Sequence, residues 1–124
     1  MLGRLGEDLA AGHLERLGYS VLARNVRTRH GEIDMIAFDG SVLAFTEVKT
    51  RRANAATMPR DSHEQPLARL RGRQRARLRR LAVAWLSDET QVRPSARTIR
   101  FDAIGVSVDP RGRLLRIEHL EGAW

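Results

Sequence analysis

The strongest constraint on the fold is the stretch Glu32 to Thr50, where EIDMIAF and SVLAFTEVKT flank the dipeptide Asp39-Gly40. Two apolar-rich runs joined by a favoured turn dipeptide predict a β-hairpin. With Asp39 and Gly40 as the two loop residues, Asp34 faces Phe45 and Glu32 faces Glu47 across the pair. Because side chains alternate along a strand, Glu32, Asp34, Glu47 and Lys49 then share one face. Asp34 and Glu47 become diagonal neighbours about 7 Å apart or somewhat less at Cβ. The other face reads Ile33, Met35, Ala37, Val42, Ala44, Thr46, Val48 and is expected to be buried. The reading is sensitive to register, since a slip of one residue would send Asp34 and Glu47 to opposite faces.

Around the hairpin, Leu2, Leu5, Leu9, His13 and Leu17 recur at helical spacing, and Gly18 is a natural stop. Tyr19 to Arg29 is β-prone. Residues 51 to 65 are polar and irregular and predict a long loop. From Arg71 to Ser87 the pattern predicts a helix with Leu70, Gln74, Leu78, Leu81 and Trp85 on its inner face. Residues 97 to 108 and 113 to 120 read as two more strands around the turn DPRG. The order α, β, β, β, α, β, β implies an α/β domain with a mixed sheet flanked by helices. At 124 residues the whole chain, 1 to 124, fits one domain. The absence of cysteine excludes disulfide and thiol chemistry. No apolar run approaches a membrane span, and acids stand where a secretory signal would be apolar, so a cytoplasmic protein with no membrane partner is expected.

Charge is unevenly spread. Residues 51 to 87 hold ten basic and two acidic side chains, whereas the segments before and after them are nearly balanced. A local basic excess suggests a surface that faces a polyanion, with nucleic acid the commonest; a solvated arginine-rich helix face is the alternative. Of the 22 basic residues only Lys49 is lysine. An ammonium is a compact charge whose pKa burial can lower, which suits it to contacting an attacking water.

Two carboxylates side by side on a sheet repel, and something positive is needed between them. Hard oxygen ligands without cysteine or clustered histidine favour Mg²⁺ or Mn²⁺ over zinc. An ion-pair cluster of Asp34, Glu47 and Lys49 with neighbouring arginines, serving stability alone, is the competing explanation. Asp102 is expected to pair with Arg100 on one strand face. His13, His30, His63 and His119 are not at metal-ligand spacing, and His13 reads as a core histidine.

Asp34, a gap of 12 residues, and Glu47-Val48-Lys49 resemble the D…ExK signature of the PD-(D/E)XK, or restriction-endonuclease-like, superfamily. The blocks GRLGEDLAAGHLERLGY, N-x-R, GEIDMIA, EVKTR, RFDAIGV and IEHLEGAW resemble, in order and spacing, the YraN-like family of small uncharacterised bacterial proteins. The resemblance implies a restriction-endonuclease-like core, a central mixed β-sheet of about five strands flanked by helices. It implies Asp34 and Glu47 as ligands of a divalent ion, Mg²⁺ or Mn²⁺, with the Val48 carbonyl a further ligand and Lys49 orienting the water. Glu7 matches an acidic position that can approach the metal; as a helix N-terminal acid it would serve the helix dipole instead. Gln74 stands where the family usually has lysine. It is either a cleft residue or a core glutamine bonded to backbone. Arg51, Arg52 and Arg60 of the loop and Arg71, Arg73, Arg75, Arg77, Arg79 and Arg80 of the helix are the phosphate-contact candidates; the helical ones circle the helix and cannot all point one way, so Arg51, Arg52, Arg60, Arg71, Arg73 and Arg77 are preferred. The implied function is a Mg²⁺-dependent endonuclease or nuclease-like protein acting on DNA, in repair or recombination, with a homodimer an open assembly. The alternative is a catalytically silent nucleic-acid-binding or partner-binding protein on the same fold.

Overall fold

In the computed structural model, residues 2–54, 72–88 and 94–123 are described, the first four residues of the second helix by backbone alone. Helix α1 (Leu2–Arg16) ends as its sequence predicts: Gly18 takes a φ of 98° and the Tyr19 N–H reaches back to the Leu14 carbonyl at 3.0 Å. The strands β1 (Ser20–Thr28), β2 (Gly31–Phe38) and β3 (Val42–Arg52) follow, then α2 (Gly72–Leu86), β4 (Thr98–Val108) and β5 (Leu114–Leu120). The five strands lie in sequence order in one sheet. Only the β3–β4 pair is parallel. A parallel step requires a crossover, and α2 lies in that connection. The result is an α/β fold consistent with a restriction-endonuclease-like core.

Both faces of the sheet are covered. On one, Ala10, Ala11 and Leu14 of α1 pack with Met35, Ala37, Ala44, Ile104, Val106 and Val108. On the other, Leu78, Leu81, Ala82 and Trp85 of α2 pack with Ile33, Ile36, Leu43 and Phe45, the Trp85 ring meeting Phe45 edge-on at 5.7 Å. Double coverage accounts for the nearly continuous burial of β3 and β4. The buried positions Leu78, Leu81 and Trp85 match the inner face predicted for α2. Leu70 lies outside the described residues, as does the side chain of Gln74, and so do residues 55–71, most of the predicted long loop. Its first two residues, Arg51 and Arg52, instead complete β3.

The hairpin register differs from expectation. The pairs Met35–Thr46, Ile36–Phe45, Ala37–Ala44 and Phe38–Leu43 make a four-residue connection rather than a two-residue one. The cause is the Asp39 carboxylate, whose Oδ1 accepts the N–H groups of Ser41 at 2.9 Å and Val42 at 2.7 Å, building a wider turn. Asp34 therefore does not face Phe45. One step beyond the Met35–Thr46 pair brings it level with Glu47. The slip is two residues, so the alternation of faces is preserved where a slip of one would have inverted it. A second departure concerns the face expected to be apolar. Ile33 packs on the α2 side with Ile36, while Met35 and Ala37 pack on the α1 side, so regular alternation breaks beside Asp34.

Candidate functional site

The β2–β3 pair brings together the three residues of the predicted signature. The Val48 N–H donates to Asp34 Oδ2 at 2.8 Å, fixing this carboxylate against β3. Lys49 Nζ lies 3.3 Å from Glu47 Oε1; the Glu47 side chain is 11% exposed and that of Lys49 39%. Burial pushes the Asp34 carboxyl up to about 6. The Val48 N–H opposes that rise, the charges of Glu47 and Glu7 add to it, and Lys49 partly offsets it. Asp34 is thus a half-buried acid with more negative than positive charge around it. Two carboxylates with an adjacent backbone carbonyl at Val48 form a hard-oxygen donor set suited to Mg²⁺ or Mn²⁺, and the excess negative charge at Asp34 is what such a cation would relieve. Among the described residues, no three histidine or acidic side chains gather closely enough to hold a metal by themselves.

Glu7 is delivered to this site by α1. It stands in the second turn, where the helix N-terminus does not explain it, and the first turn carries no acid. The close approach comes from Gly6. A Cβ there would fall 1.7 Å from Thr50 Oγ1, so only glycine lets α1 lie against β3 one residue beyond Lys49. Gly3, one turn earlier, has nothing within 4 Å of where a Cβ would stand. Ala10 is fully buried in the α1-side core.

Asn25 was passed over as a site residue although it belongs to the N-x-R block. The pairs Arg24–Met35 and Val26–Ile33 put it opposite Asp34. Its φ of 51° is the one left-handed value outside glycine among the described residues, unusual within a strand. It lines a polar cleft with Arg4, Glu7 and Asp8, closed by the Arg24 to Asp8 ion pair at 2.6 Å.

The phosphate-contact candidates divide. Arg51 Nε donates to Ser107 Oγ at 3.2 Å, and Arg52 Nη1 donates to the carbonyls of Asp109 and Pro110, both at 3.2 Å. These two are engaged with β4 and the β4–β5 turn. Arg60 and Arg71, like the side chain of Arg73, lie outside the described residues. Arg77 is exposed, and its guanidinium rests over Gly31, 3.2 Å from where a Cβ would stand.

A second polar cluster lies on the α1 side of the sheet. Arg100 grips Asp102 with two bonds of 2.7 Å, as the same-face pairing predicted, and also donates to the Tyr19 hydroxyl. The Gly122 N–H donates to Asp102 Oδ1 at 3.0 Å, and His119 Nε2 lies 2.8 Å from Oδ2. His13 Nε2 in turn sits 3.1 Å from His119 Nδ1. The two histidines, 106 residues apart, meet through the fold although their spacing gave no sign of it. Burial alone would raise Asp102, but the bonds from His119, Arg100 and Gly122 outweigh it and hold the carboxyl at about 2. Arg100, His119 and the Gly122 N–H all converge on the buried Asp102 carboxylate, a network closed within the protein that fits a structural role.

A profile described as uncharacterised protein family UPF0102 matches residues 6–106. Among similar proteins, a UPF0102 protein of Parafrankia sp. (strain EAN1pec) is 46% identical over 99% of this chain and 95% of its own length. A UPF0102 protein of Pelotomaculum thermopropionicum is 38% identical over 100% of this chain and 95% of its own. One from Streptomyces griseus is 44% identical over 98% and 93%. With both the profile and these near full-length relatives in agreement, the chain belongs to the UPF0102 family, the YraN-like proteins.

Proposed function

We propose that the protein is a divalent-metal-dependent nuclease-like protein that binds nucleic acid and hydrolyses phosphodiester bonds. The observation that carries this reading is the junction of Asp34, Glu47 and Lys49 on β2 and β3, with Asp34 held by the Val48 N–H in a negatively charged setting. Asp34, Glu47 and the Val48 carbonyl would hold Mg²⁺ or Mn²⁺. When bound there, such an ion supplies charge neutralisation at the scissile phosphate and a more acidic water. Lys49, partly exposed and held by Glu47, orients that water through its ammonium protons. Glu7 contributes negative potential, and Asn25, opposite Asp34, offers an amide to the approaching substrate.

A second reading, a catalytically silent nucleic-acid-binding protein on this fold, is favoured by one observation: no third metal-binding side chain joins the two acids among the described residues. Incubation with branched, nicked, linear and single-stranded DNA, and with RNA, in Mg²⁺ or Mn²⁺ separates the two. Wild type is expected to cleave at least one substrate, and Asp34→Ala and Lys49→Ala to lose about 100-fold or more in rate, consistent with loss of a transition-state contact. Wild type that cuts nothing and binds equally well with and without metal would establish the silent reading.

A further inference from the structure

A groove of about 710 Å³ separates the β1–β2 turn from α2. Arg27 and Arg29, followed by His30, stand on the turn side; Arg79 and Arg80 stand on α2. Among the described residues, four arginines thus line the groove against one acid, Asp88. Arg29 and Arg80 are exposed and make no ion pair among the described residues. Arg27 has only a contact of 3.9 Å to Glu32, and Arg79 lies over the Phe101 ring at 5.1 Å. Val83, also in the lining, is 61% exposed, a large apolar side chain left to solvent on a helix whose other face is buried. His30 of the lining stands four residues before Asp34 on the same chain segment, or roughly 13 Å at the rise of a strand. This distance is within the span of a few nucleotides.

From these observations we infer that the groove binds the sugar-phosphate backbone of a nucleic acid strand, with Arg29 and Arg80 the principal phosphate contacts and Val83 packing against the sugars. Cations contributed from two elements, with an exposed apolar side chain in the same lining, match a strand that carries phosphates beside sugars. An acidic peptide is the competing polyanion, and competition by poly-glutamate separates the two. The inference rests on the nucleic-acid reading above but concerns a surface that reading does not need, since none of these arginines touches Asp34, Glu47 or Lys49.

Fluorescence anisotropy with a labelled 20-nucleotide single strand and the matching duplex, between 50 and 200 mM salt, tests it. Wild type should bind at least one of the two, with affinity falling steeply as salt rises. Arg29 and Arg80, exposed and without an ion pair among the described residues, can be replaced without disturbing packing, which a thermal melt verifies. Arg29→Ala/Arg80→Ala should weaken binding about tenfold or more and reduce the log–log salt slope by about 1.4–1.8, the share of two phosphates. Arg29→Lys/Arg80→Lys should restore most of the slope, and Val83→Glu should weaken binding with both arginines in place. Unchanged affinity in the double alanine variant would overturn the assignment, as would wild type that binds neither strand form, or competition by poly-glutamate at equal charge concentration. The outcome is separable from catalysis. Binding that depends on Arg29 and Arg80 without cleavage leaves the groove assigned and removes the nuclease reading; cleavage with unchanged binding in the double variant does the reverse.

Discussion

Asp34→Asn should make the metal-free protein more stable, not less. The carboxyl titrates at about 6 in the folded chain against 3.8 for a free aspartate, a difference of about 2 pH units. At 1.36 kcal/mol per unit this corresponds to about 3 kcal/mol. Because the folded value is raised, the folded state binds its proton more tightly than the unfolded chain. The stability of the protonated form is complete below pH 3.8 and declines as pH rises through 6. Above pH 7 the wild type therefore carries the whole cost of an ionised, half-buried acid. Asparagine keeps an acceptor for the Val48 N–H, 2.8 Å away in the wild type, without the charge. Urea denaturation from pH 4 to 8, in buffer stripped of metal, should show the variant more stable by up to about 3 kcal/mol at pH 8, with the gap closing toward pH 4. Added Mg²⁺ should then raise wild-type stability, by about 2.7 kcal/mol at 100 times its dissociation constant, and leave the variant nearly unmoved. Equal stabilities at pH 8, or a gap independent of pH, would refute the electrostatic argument. A response to Mg²⁺ equal in both proteins would refute the assignment of Asp34 as a ligand.

The sequence disclosed the parts of this site that depend on local pattern and concealed those that depend on tertiary approach. Periodicity located the two helices and five strands of the described residues, because each element covers a face and its apolar residues repeat at the period of that element. The carboxylates lie on neighbouring strands despite a wrong turn length, since the side chain of Asp39 widened the turn by two residues and the shifted register sets Asp34 level with Glu47. The break in alternation between Ile33 and Met35 was not legible, for it arises from packing against two different helices. Nor was the union of His13, His119 and Asp102, which forms only when α1, β4 and β5 converge. Arginine abundance pointed to 51–87, and Arg79 and Arg80 of that segment do line the basic groove; Arg51 and Arg52, however, are tied to β4 and its turn, and the groove also draws Arg27 and Arg29 from a segment balanced in charge. Net charge by segment averages over direction, and direction is what the fold supplies.

The acid limb of stability should report Asp102 in the opposite sense from Asp34. Its folded value of about 2 lies below 3.8, so it contributes about 2 kcal/mol above pH 4 that is lost as pH falls through 2. Urea midpoints between pH 5 and 1.5 should fall in wild type and be flatter in Asp102→Asn, which starts from lower stability because Arg100 is left without its buried partner. A further comparison within α1 tests whether the helix holds Glu7 at the site. Gly3→Ala, in open space, should gain up to about 1 kcal/mol from helix propensity. Gly6→Ala offers the same propensity gain but drives its Cβ into Thr50, and should lose about 1–3 kcal/mol by overpacking. Thr50→Ala in the Gly6→Ala background should recover part of that loss, because it removes the nearest of the clashing atoms, Oγ1 at 1.7 Å. The contrast in sign within one turn of helix is what matters. If both glycine substitutions stabilise, α1 does not rest on β3 at Thr50, and Glu7 loses the support that brings its charge to bear on Asp34.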